Sequence, residues 1–125
     1  DKPNFDLFMN EIPVYPKAKI YDLKNLISVG MKLHLTEDSF EKVSTFYINK
    51  FLEKGWLVEF PDPIELKIWM EALQHDRNKP PNIMLHLIKP KTKLNCNITI
   101  GVVKDARSPK DLTIITIYLT DTMLK

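Results

Sequence analysis

Leu94, Cys96, Ile98, Ile100 and Val102 alternate with Asn95, Asn97, Thr99 and Gly101. A period of two over this length predicts a strand with one buried face. Ile83, Leu85 and Leu87 alternate with Met84 and His86 in the same way, and Pro90-Lys91 supplies a turn between the two runs. Leu112 to Leu119, rich in Ile and Thr, predicts a last strand. Upstream, Met31, Leu33 and Leu35 alternate with Lys32, His34 and Thr36. That run reads as a strand with its leucine row inward and its lysine and histidine in water. Trp56 to Phe60 predicts a further strand, and Lys19 to Leu26 a first one.

Two stretches change period. Phe40, Val43, Phe46, Tyr47 and Phe51 recur at three- and four-residue spacing, so they share one stripe of a helix. Lys42, Ser44, Asn49, Lys50 and Glu53 fall on the other side. Asp38 is the expected N-cap, with Glu41 three residues on, and Gly55 the expected left-handed stop. Asp62-Pro63-Ile64-Glu65 repeats the start signal, and Ile64, Ile68, Trp69, Ala72 and Leu73 follow helical spacing. Leu66, Ile68 and Met70 also alternate, so Ile64 to Leu73 carries a competing strand pattern. Caps and spacing together favour the helix.

These parts predict one α+β domain over residues 1–125. Five or six mostly antiparallel strands would pack on one long helix, with a second, shorter helix beside it. Residues 1–11 read as a lead-in, and Pro61 to Pro81 as an insertion carrying the second helix. With 44% hydrophobic and 27% charged residues, the chain has the composition of a globular domain. Eighteen basic and sixteen acidic residues leave a formal +2, too little to point to a nucleic-acid partner. No apolar run reaches the roughly 20 residues of a membrane span.

Pro13-x-Tyr15-Pro16-Lys17-Ala18, then Thr36-x-Asp38-Ser39, Val43-x-x-Phe46-Tyr47 and Gly55-Trp56 form a pattern of their own. It resembles a motif of small bacterial α+β domains without assigned activity, many of them lipoproteins or exported proteins. Lys17 stands where that pattern often has glycine. The resemblance covers the first half of the chain. It implies a helix-grip-like fold and an extracytoplasmic place, with any export signal or lipid anchor upstream of Asp1. It implies no activity and no cofactor.

Candidate chemistry is sparse. His34 and His86, both expected on the wet side of strands, would bind a transition metal if their strands were neighbours. Two solvated histidines explain the same positions, and no closely spaced second ligand supports a metal. Cys96 lies in register with Leu94, Ile98 and Ile100, which makes it a small core residue rather than a nucleophile. His75, near Asp76 and Arg77, reads as a helix-end charge partner. Glu37 with Asp38, and Asp62 with Glu65, are accounted for by capping; Asp105 and Asp111 flank a polar loop. Lys89, Lys91 and Lys93 surround a hairpin turn, and Lys17, Lys19 and Lys24 the first strand. Without interleaved aromatics they read as solvated edges. Three isolated glycines build no phosphate loop. Asn97-Ile98-Thr99, a glycosylation sequon by pattern, sits inside a predicted strand.

No catalytic, cofactor or metal residue is therefore assigned. The expected function is that of a non-enzymatic binding or structural module of the bacterial cell envelope. It would contact another protein through its sheet face, its edge or the second helix. The alternatives are a carrier with an apolar pocket between helix and sheet, and an enzyme of unrecognised type.

Overall fold

The computed structural model describes residues 11–20, 31–75, 82–91, 94–104 and 110–120. Among the described residues six strands and two helices follow one another as β1 (Lys19–Ile20), β2 (Met31–Thr36), α1 (Phe40–Glu53), β3 (Leu57–Phe60), α2 (Pro63–His75), β4 (Asn82–Lys89), β5 (Leu94–Val103) and β6 (Leu112–Thr120). The strands form one sheet in the order β1-β2-β6-β5-β4-β3, and every pairing is antiparallel. This is the expected α+β arrangement, with the 14-residue α1 against the sheet and the 13-residue α2 packed on α1. Ile64 to Leu73 is thus helical. Most of the predicted first strand, from Tyr21 onward, lies outside the described residues, as do Lys24, Asp76, Arg77, Lys93 and Asp105. Among the described residues no helix is long and apolar enough to cross a membrane.

Both ends of α1 are built locally. The cap is Ser39, not Asp38: Ser39 is extended, and its hydroxyl accepts the Lys42 N–H at 3.2 Å. Asp38 is drawn away to another partner, described below. At the far end Gly55 has φ +85°, its N–H reaches the Leu52 carbonyl, and the Trp56 N–H reaches the Phe51 carbonyl. These two bonds make a Schellman stop, and the accompanying apolar contact is Phe51 edge-on to Trp56 at 5.3 Å. Asp62 caps α2 as expected, accepting the Glu65 N–H at 2.9 Å.

Phe40, Val43, Tyr47 and Phe51 are buried, with Phe46 half-buried beside them. Ser44, expected on the wet side, is buried too, because α1 presents a broad face to the sheet. For α2 the buried side is Leu66, Trp69, Met70 and Leu73. Ile64 and Ile68, which share the helical spacing with Leu73, are 76% and 59% exposed. One helix holds both four-residue rows, and α1 covers only the Leu66–Leu73 side.

Opposite each other in an antiparallel pair, two residues share a face. Ile83, Leu85 and Leu87 of β4 lie opposite Ile100, Ile98 and Cys96 of β5, and Ile98 and Ile100 lie opposite Ile117 and Ile115 of β6. All eight are fully buried and form the helix-facing side of the sheet. The row continues into β2, where Ile117, Ile115 and Thr113 oppose Lys32, His34 and Thr36. The expected orientation of β2 is therefore reversed. Lys32, His34 and Thr36 are buried, while Met31, Leu33 and Leu35 face the other way.

The reversal is anchored at the turn into α1. The Thr36 hydroxyl accepts the Asp38 N–H at 3.2 Å, and the Thr113 hydroxyl donates to the Asp38 carbonyl at 2.7 Å. Both threonines must then point to the helix side, and period two carries His34 and Lys32 with them.

Candidate functional site

Asp38, Phe46 and Tyr47 meet around Tyr15. Pro16 and Lys17 form a turn closed by the Ala18 N–H on the Tyr15 carbonyl. The Tyr15 backbone N–H donates to the Tyr47 hydroxyl at 3.1 Å, and the Tyr15 hydroxyl donates to Asp38 Oδ2. The Tyr15 ring meets Phe46 edge-on at 5.0 Å, and Phe46 meets Tyr47 at 5.2 Å. This web ties the segment before β1 to α1 and explains why Asp38 does not cap the helix.

Its electrostatics suit scaffolding better than proton transfer. Burial, then the Asp38 hydrogen bond, pushes the Tyr15 hydroxyl up to about 12. The Tyr15 hydrogen bond, ahead of the Lys42 and Lys17 charges, holds Asp38 below its ordinary value. Burial raises Tyr47 to about 12. An acid–base pair works best with values near the operating pH, and here both partners move away from it. Two surface clefts flank the web, of about 430 Å3 beside Lys17, Lys19, Glu37 and Asp38, and about 400 Å3 beside Lys17, Lys42 and Phe46. Both open to solvent at the surface rather than between α1 and the sheet.

The two histidines do not converge. His34 is 1% exposed on the helix side, and neither ring nitrogen has a hydrogen-bond partner. Burial, with the Lys32 charge second, lowers its pKa to about 4. His86 lies on the opposite face of the sheet, as expected, with its Nε2 3.1 Å from Asn95 Oδ1. Strands β6 and β5 separate the two. Among the described residues no three of His, Cys, Asp and Glu are grouped to hold a metal ion. Cys96 is a core residue whose thiol burial pushes up to about 12, far from a reactive thiolate. Lys89 is no free hairpin lysine: its ammonium donates to the Lys54 carbonyl and pairs with Glu11 at 3.3 Å.

The sequence pointed to a sheet face as one of three contact surfaces, but not to which residues line the open face or how few charges it carries. Leu57 and Phe60 of β3, Met84, His86 and Ile88 of β4, Asn97, Thr99 and Gly101 of β5, Ile114, Thr116 and Tyr118 of β6, and Met31, Leu33 and Leu35 of β2 share it by register. Met84 is 50% and Tyr118 43% exposed. In register on this face, among the described strand residues, the only Lys, Arg, Asp or Glu is Lys19, on the outermost strand opposite Leu35. Gly101 leaves a depression of about 440 Å3 between Met84, Thr116 and Tyr118. A one-layered antiparallel sheet usually turns charged and polar residues outward. This one places Lys32 and Lys89 on the helix side and leaves its open side almost uncharged. The signal was present in the sequence: the outward positions of β4, β5 and β6 hold Asn, Thr, Gly, Met and Tyr, and no Lys or Glu.

Compared with known proteins, the chain matches no family model, no curated protein and no solved structure.

Proposed function

We propose that this chain is a non-enzymatic binding module of the bacterial cell envelope, and that it meets its protein partner through the open face of the sheet. The observation that carries the reading is the charge distribution. Among the described residues, apolar, hydroxyl and amide side chains make up most of one sheet face, with Lys19 at its margin, while the other charged groups lie in the turns, on the exposed sides of the helices and, with Lys32 and Lys89, at the margins of the helix side. Covering such a face removes apolar surface from water without stripping ions of theirs, which favours association. The envelope part of the proposal rests on the resemblance of the Tyr15 to Trp56 pattern to exported bacterial domains.

The test is photo-crosslinking in the source cell. Benzoylphenylalanine at position 118 or 84 is expected to give a discrete adduct, and the same group at Asn49, exposed on α1, none. Equal labelling at all three positions, or none at 118 and 84, would sink the proposal. Fractionation of the full gene product checks location separately, and recovery in the cytosol alone would refute the envelope assignment.

A further inference from the structure

We propose that the occupant of the open face is a second copy of this chain, stacked sheet on sheet about a twofold axis. The inference rests on the open face being the binding surface, and adds the identity of the partner.

Three features point to self-association. A twofold contact sets one patch against itself, so any net charge on it meets its own like. Among the described residues the open face escapes that repulsion, because the one lysine in register on it, Lys19, lies on the outermost strand. The area also suffices. Six strands at about 4.8 Å spacing, each of roughly six or seven residues at about 3.3 Å, give on the order of 600 Å2 per copy. A stacked pair then buries about 1,200 Å2, the lower edge of the range for specific complexes.

The relief of the face completes the case. The depression at Gly101 lies beside Tyr118 and Met84, which stand out from the same surface. A large side chain next to a hollow is the self-complementary arrangement that a twofold axis uses: each copy offers Tyr118 and receives its counterpart. The sheet's edges offer a poorer route. β1 has two residues, and β3 has four with a register shift between Val58 and Phe60, so neither presents a long ladder for edge-to-edge pairing.

Sedimentation equilibrium tests the proposal on the purified chain. The expected mass is twice the 14.6 kDa of one copy. Tyr118→Lys is expected to raise the dimer dissociation constant by about 30-fold or more, since an aromatic anchor is lost twice and two charges are buried. Met84→Lys serves as an independent variant. Both sites are exposed, so far-UV circular dichroism should stay that of the parent, and the thermal midpoint should match that of the parent diluted to the monomer. A parent that sediments as 14.6 kDa at about 100 μM overturns the proposal. So does a dimer that persists unchanged in both variants, because it would use another surface. An adduct at position 118 that contains a different protein also refutes the second copy, yet leaves the open face as the binding surface. Absence of any adduct there removes both.

Discussion

Tyr15 engages three neighbours at once: its N–H binds Tyr47, its hydroxyl Asp38, and its ring edge meets Phe46. Replacing it by alanine should cost about 3 kcal/mol, the usual loss for a buried aromatic, read as a lower urea midpoint. Tyr15→Phe should cost less than alanine, and that cost should be full at neutral pH and shrink in acid. Asp38 is held below its ordinary value chiefly by that hydroxyl. Its contribution to stability is therefore present above the ordinary value and fades as pH falls through the folded one, and the variant should show a shallower acid limb. His34 acts over a higher window. Its folded pKa of about 4 lies below the ordinary 6.5, so the unfolded chain takes up the proton first as pH falls. The His34 contribution is whole above about pH 6.5, declines between there and about 4, and is gone below. His34→Leu should flatten that decline by on the order of 2–3 kcal/mol near pH 4.5 in urea titrations. An unchanged slope would show that the ring is not buried neutral. Tyr15 was recognisable from the sequence as part of a motif, but its partners were not, because Asp38 and Tyr47 come to it through the fold. The burial of His34 was hidden for a simpler reason: alternation shows that two rows differ and does not say which one faces the core.

The boundaries of α1 and α2 could be read at this next scale, and the faces only in part. Gly55 was legible as a stop because its left-handed φ leaves few alternatives, and Gly55→Ala should destabilise by about 1 kcal/mol in a thermal melt. The start of α1 was misassigned by one residue. Asp38 and Ser39 are both good caps, and the choice was made by Tyr15, distant in sequence. On α2 two apolar rows compete at four-residue spacing, and the sequence alone cannot choose between them. The structure buries Leu73 and exposes Ile68. Leu73→Ala should therefore cost about 2–4 kcal/mol, and Ile68→Ala under about 0.5, measured on the same urea scale. Equal costs would mean that both rows are covered.

Across the whole molecule, strand alternation foretold an antiparallel sheet on one long helix, because β4, β5 and α1 each carry an unambiguous period. The strand order was not foretold, and neither was the low charge of the open face. β6 is apolar on both sides, so its sequence is compatible with either orientation of β2; Thr36 and Thr113 decide it through the turn at Asp38. Strand β6, from the far end of the chain, lies between β2 and β5 and joins Met31 to Tyr118. Consider the same chain emerging from a ribosome. Until Leu112 to Thr120 has been made, β2 lacks the neighbour that completes its ladder, and β5 has a bare flank. The first 111 residues can hold α1 and the β3–β4–β5 ladder, but not a continuous sheet. Completion of the sheet thus waits for β6, and a nascent chain halted before it would present two unpaired strand edges to the chaperones around it.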